Sequence, residues 1–316
     1  MENPKTKSSR GKPRVLVGTC NWSDHEDFYP KGLKSTERLR YYARFFSIVE
    51  VDSTFYRLQS ARNFARWAEM TPDDFVFNVK AYRELTFHDR IDNVPKEPDA
   101  STFESFNESV EPLRQANKLG VIHFQFPPWF RNTQENRDFI LSARDFFPKD
   151  RFGVEFRHRS WLEPESADAT LDFLRQAEII FTAVDEPQLG SGSVPPVVGA
   201  TNPEIAIVRF HGRNSQTWYK KTEKTSDRFN YLYSQEELAE WVEPIRELSS
   251  SARIVHALMN NNHGNYAVRN AFDIAQLLGD MAALPETSVR LFGEGGAQLS
   301  LFDTNSAASD QKEGSA

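Results

Sequence analysis

Eight short runs of apolar, β-branched and aromatic residues recur along this chain, and stretches with helical spacing separate them. The runs are RVLVGT (14–19), SIVEVDS (47–53), FVFNVKA (75–81), VIHFQFP (121–127), RFGVEFR (151–157), IIFTAVD (179–185), IAIVRFHG (205–212) and RIVHALMN (253–260). Runs this short and this apolar suit strands covered on both faces, and their alternation with helices is the order of a parallel sheet. Helical spacing is clearest in STERLRYYARFF (35–46), TQENRDFILSARDFF (133–147) and NYAVRNAFDIAQLLGDM (265–281), and Ser101…Glu104 and Ser234…Glu237 match the capping-box pattern. Eight strands each followed by a helix predict a TIM (β/α)8-type barrel in one α/β domain over residues 14–292. A doubly wound open sheet is the alternative, but no GxGxxG follows the first run to support a dinucleotide fold. Residues 1–13 and 293–316 are small, polar and charged, and are expected to be disordered tails.

The net charge of −7 means that any attraction to nucleic acid must be local rather than spread over the surface. A single cysteine, Cys20, can form neither an internal disulfide nor a CxxC metal site, which fits a reducing compartment. No apolar run approaches a membrane span and the first residues have no signal-peptide core, so a cytoplasmic protein with no membrane partner is expected.

Residues two apart on a strand share a face, and near the ends of the runs that register collects polar groups. They are Glu50 and Asp52, Asn78 and Lys80, His123 and Gln125, Glu155 and Arg157, Asp185, Arg209 and His211, then Asn260 and Asn261. Polar groups at carboxy-terminal strand ends mark the mouth where barrel enzymes build their sites. Asp52, Glu155 and Asp185 can act as general acid or base, or hold a divalent cation through oxygens, with His211 as proton donor. No HxxEH or HExxH pair supports a metal. Lys80, Arg157 and Arg209 favour an anionic substrate. His123 reads as a satisfied core histidine rather than a ligand. Long connections at 82–100 and 212–233 are candidate lids.

Seven blocks, GTCNWSDHEDFYPKG (18–32), VEVDSTFYRL (49–58), FVFNVKAYRELTFH (75–88), LGVIHFQFPPWF (119–130), GVEFRHRSWL (153–162), VRFHGRN (208–214) and NNNHGNYAVRNA (260–271), resemble the YecE-like family, or domain of unknown function 72. The resemblance implies a TIM-type barrel in a cytoplasmic protein and brings no reaction with it. Glu155, Arg157, His211, Asn261 and Gly264 fall on matching motif positions, while the third block departs by having Phe87 between Thr86 and His88. Independently of the resemblance, Gly212 and Gly264 sit in loops after the seventh and eighth runs, where barrels commonly bind phosphate; tight turns are the alternative use.

The loop 212–233 carries Arg213, Lys220, Lys221, Lys224 and Arg228 against Glu223 and Asp227, interleaved with Trp218, Tyr219, Phe229, Tyr231 and Tyr233. Basic and aromatic side chains together suit single-stranded nucleic acid, and they equally suit a solvated lid with aromatic anchors. Beyond Gly295-Gly296, the segment Gln298-Leu299-Ser300-Leu301-Phe302 resembles the bacterial sliding-clamp-binding peptide in full. Leu299, Leu301 and Phe302 would enter an apolar pocket while Gln298 orients the segment, which predicts a clamp partner and work on DNA. Three functions remain: a clamp-recruited phosphodiester hydrolase, a small-molecule isomerase, lyase or hydrolase for a sugar or phosphate ester, and a non-catalytic adaptor.

Overall fold

The eight apolar runs become eight parallel strands that close on one another. A computed structural model describes residues 14–190, 193–218 and 229–288. Strands β1 (Arg14–Cys20), β2 (Ile48–Val51), β3 (Val76–Lys80), β6 (Leu119–Gln125), β7 (Phe152–Glu155), β8 (Ile180–Asp185), β9 (Ile205–Phe210) and β10 (Ile254–Met259) form a closed barrel in the order β1-β10-β9-β8-β7-β6-β3-β2. The predicted TIM-type fold is therefore present, with strand ends within about two residues of those expected.

The extra numbers belong to β4 (Arg90–Ile91) and β5 (Val94–Pro95), a small antiparallel hairpin inside the loop that follows β3. Sequence reading gave that loop no strand, because two-residue strands carry no periodicity. The Ser101…Glu104 box is also absent: Asp99 caps α4 (Ala100–Ser109), accepting from the Ser101 amide at 2.8 Å. Ser234 and Glu237 do form a reciprocal box at the start of α8 (Gln235–Ala239). The clearest helical patterns become α1 (Arg38–Tyr42), α6 (Gln134–Asp145) and α10 (Tyr266–Leu278).

Alternating strand residues divide the apolar interior in two. Leu16, Ile48, Val121, Ile180, Ile205, Ile207 and Leu258 fill the lower lumen, while the opposite faces pack outward against the helices in a larger core. Aromatic rings stiffen the wall beside β6 and β7. Phe126 stacks on Phe130 at 4.0 Å, Phe156 on Trp161 at 4.1 Å, and Trp161 Nε1 donates to the Phe130 carbonyl at 2.8 Å. This rigid wall fixes the direction in which the ends of β6 and β7 present their polar side chains.

Candidate active site

Above the apolar lumen lies a charged layer in which Arg209 is the central group. Its Nη1 donates to Glu155 Oε2 at 2.5 Å and its Nη2 to Glu50 Oε1 at 2.6 Å, so one guanidinium ties β9 to both β7 and β2. All three residues are fully buried. His123 fits beneath the same carboxylates, with Nδ1 3.2 Å from Glu50 Oε2 and Nε2 3.6 Å from Glu155 Oε2. Arg157 extends the layer: Nε pairs with Glu155 Oε1 at 2.7 Å and Nη1 donates to Glu186 Oε2. Gln125 Nε2 donates to Glu155 Oε1 at 2.6 Å. A carboxylate with so many donors is held in one orientation, which suits positioning better than proton transfer.

The charge states follow from this geometry. Burial alone would push the Glu155 carboxyl up, but Arg209, Arg157 and His211 outweigh it and hold the group well below the usual carboxylate range. Burial likewise opposes ionisation of Glu50, and Arg209 and His123 overcome it. His211 goes the other way: burial and then the Arg157 guanidinium lower it to about 3, so the ring is neutral at pH 7. Its Nδ1 accepts from Asn260 Nδ2 at 2.8 Å and its Nε2 lies 3.1 Å from Glu155 Oε1. A ring neutral at pH 7 and held between Asn260 and Glu155 is less suited to the expected role of proton donor than to orienting Glu155.

Two other carboxyls border the layer and titrate near neutrality. Asp52 is pushed up to about 7 by burial, which Lys80 only partly offsets and neighbouring Glu50 reinforces. Glu186 is raised to about 7 by burial, with Arg157 only partly opposing. They lie just beyond the ends of β2 and β8, strands on opposite sides of the barrel. Asp52 precedes α2 (Ser53–Tyr56) without capping it, and its Oδ1 stands 3.7 Å from Lys80 Nζ.

Several expected site residues lie elsewhere. Asp185 faces outward from β8, accepting from Tyr233 Oη and Trp241 Nε1 at 2.7 Å each and from Arg213 Nη2 at 2.7 Å. Its neighbour Glu186 takes the inward position, because a shift of one residue along a strand exchanges its faces. Asn261 also points away, donating to the Tyr231 carbonyl at 2.9 Å and Asn270 Oδ1 at 2.8 Å, whereas Asn260 reaches His211. Gly264 occupies a turn with φ +57° before α10. Gly212 has φ +84°, a Cβ there would lie 2.7 Å from Tyr231 Cβ, and its amide donates to Tyr233 Oη at 2.8 Å. That amide is engaged in a turn rather than directed at the mouth.

Arg157 and Arg209 do reach the mouth but are taken up by carboxylates, which leaves Lys80 as the cation of the expected three with only a 3.7 Å ion pair to Asp52. The cation set of Asp52, Glu155 and Asp185 is not assembled, since Asp185 is outside the wall. Among the described residues no three His, Cys, Asp or Glu side chains are placed to hold a metal ion. Gln298, Leu299, Leu301 and Phe302, with Lys220, Lys221, Lys224 and Arg228, lie outside the described residues. Sequence reasoning placed Glu50, Gln125 and Asn260 at the mouth without giving them a role, set His123 aside as a core residue, and did not name Glu186. Two-residue alternation carried on past the end of β8 from Thr182 and Val184 would have pointed to Glu186.

Residues 16–290 match the family described as Protein of unknown function DUF72. The chain belongs to the DUF72 family. It is 38% identical over 267 residues to UPF0759 protein YunF of Bacillus subtilis (strain 168), covering 84% of this chain and 94% of that protein. A DUF72 family protein of Thermotoga maritima MSB8 with a crystal structure is 34% identical, with TM-score 0.73, over 84% of this chain and 99% of that one. A second, from Enterococcus faecalis V583, is 28% identical with TM-score 0.76, over 84% of this chain and 95% of that one. The matched DUF72 region spans every strand from β2 to β10 and most of β1, and so contains the whole charged layer. No helix among the described residues of this DUF72 protein is long and apolar enough to cross a membrane.

Proposed function

We propose that the barrel mouth is the active site of a hydrolase acting on a phosphate-containing substrate. The observation that carries this reading is the pair Asp52 and Glu186, two carboxyls near neutral pKa on opposite sides of a mouth that also holds Lys80. A carboxyl close to half-protonated at working pH serves equally as donor or acceptor, the condition for general acid–base catalysis. In the proposed step Lys80 binds a phosphate oxygen and water attacks phosphorus. Glu186 takes the proton from water, the phosphorus–oxygen bond breaks, and Asp52 protonates the leaving oxygen. Glu155, Arg157 and Arg209 hold the two ends in place.

The tail segment Gln298–Phe302 supports recruitment of this hydrolase to DNA through a sliding clamp. Calorimetry with a bacterial clamp is expected to give micromolar binding that disappears when Leu301 and Phe302 are both changed to Ala. No binding by the intact chain removes the recruitment and leaves metabolite phosphates as the substrates to screen. For the mouth, hydrolysis of sugar phosphates, nucleotides and 5′-phosphorylated single strands is to be measured between pH 5 and 9. Turnover of at least one, reduced by Lys80→Met mainly through KM, is expected. Absence of turnover on all of them overturns the assignment.

A further inference from the structure

The rim of the mouth carries aromatic rings that the charged layer does not use. Tyr56, Phe55, His88 and Trp129 form a continuous arc with successive ring centroids 5.2, 4.8 and 6.1 Å apart. They follow β2, β3 and β6, which are adjacent in the barrel, so the arc lies along one side of the mouth beside Asp52 and Lys80. The two end rings face solvent, with Tyr56 59% and Trp129 38% exposed. Trp129 offers a large, rigid aromatic side chain at the edge of a polar site, the kind of group on which a flat ligand stacks.

The rings are also held and charged in a way that defines a ligand. Trp129 Nε1 donates to the Phe87 carbonyl at 3.0 Å, fixing the indole plane before anything binds. The Arg90 guanidinium lies over one face of the Trp129 ring, 4.6 Å from its centroid, which leaves the other face for a ligand, and Lys80 Nζ lies over the Phe55 ring at 4.8 Å. Burial, then Lys80, Arg83 and Arg157, lower His88 to about 3, so the ring is neutral at pH 7 and packs edge-to-face between Phe55 and Trp129. A pre-oriented ring loses little entropy when another ring stacks on it, and cations beside it neutralise an attached anion. A neutral sugar would use the rings but not the cations, and inorganic phosphate the reverse.

We propose that this arc is a nucleobase subsite, so that the substrate class of the mouth is a nucleoside phosphate with its base on Trp129 and its phosphate at Lys80. This rests on the phosphate-binding reading of the mouth. The shared chemistry is found in a free nucleotide and in the end of a single strand, and the two are separated by experiment. Affinities of the full chain are to be measured by calorimetry for adenosine 5′-monophosphate, a 5′-phosphorylated deoxytetranucleotide, ribose 5-phosphate and adenosine.

Trp129→Ala is expected to weaken both base-bearing phosphates about tenfold or more and to leave ribose 5-phosphate unchanged. Trp129→Phe, which keeps a stacking ring without the indole hydrogen bond, should retain most of the affinity and so separates stacking from misfolding. Tetranucleotide binding much tighter than mononucleotide binding assigns the site to a strand end; equal affinities assign it to free nucleotides. Ribose 5-phosphate binding that is lost in Lys80→Met, with no Trp129 effect on any ligand, overturns the base subsite and leaves the phosphate reading standing. Adenosine bound as tightly as its monophosphate overturns the phosphate reading instead. Binding of none of the four overturns both.

Discussion

Arg209→Met is expected to lower the unfolding free energy at pH 7 by about 3–5 kcal/mol, the range for removing one partner from a buried ion pair. Arg209 donates to Glu155 and Glu50 inside the barrel, and without it two buried carboxyls face each other and His123 with no cation between β9, β7 and β2. The loss should shrink at acid pH, as the orphaned carboxyls take up protons, and adding Glu50→Gln should recover part of it at pH 7. Urea unfolding at both pH values measures this. A loss below about 1 kcal/mol at pH 7 would show that the layer does not depend on its central guanidinium. In the unaltered chain, Glu155 and Glu50 have folded pKa values below their unfolded ones. Their stabilisation is complete above the unfolded values and is lost as pH falls through the folded ones.

Asp52→Asn is expected to reduce turnover by about 10²–10⁴-fold while making the folded chain more stable at pH 8. The sign follows from proton counting. Asp52 is raised to about 7 by burial, against an unfolded value near 4 for an ordinary aspartate, so between these limits the folded chain holds a proton that the unfolded chain has released. Stability then falls as pH rises across that window, by about 1.4 kcal/mol per pH unit from this group, and levels off above it. The amide substitution removes that slope and can still donate to Glu50. Initial rates, together with denaturation between pH 4 and 8, check both halves of the expectation. Unchanged turnover removes Asp52 from the acid–base pair, and an unchanged pH slope shows that its carboxyl is ionised in the folded chain.

The barrel was legible because each of its strands is covered on both faces and must therefore be written in apolar residues, while the intervening helices carry a different period. The same double burial concealed which residues face the lumen. On β8, apolar side chains fill both faces, so nothing in IIFTAVD says whether Asp185 or the following Glu186 turns inward. Asn260 and Asn261 posed the same ambiguity after β10. Where a charged pair sat two apart, as in Glu155 and Arg157 or Arg209 and His211, the residues were found but their roles were not. An arginine looks free for substrate until a carboxylate from a strand distant in sequence is placed beside it.

What the sequence determined by itself is the architecture and the end of the barrel where polar groups gather, since both depend on local spacing and on the need to bury apolar runs. What only the tertiary structure decided is the division of labour among those groups. Closure of the barrel brings Glu50, His123, Glu155 and Arg209 from four strands into one buried layer, where ion pairing with Arg209 fixes the charges of Glu50 and Glu155. Asp52 and Glu186 stay at its edge, where burial is less completely compensated and a proton can be held or released near neutral pH.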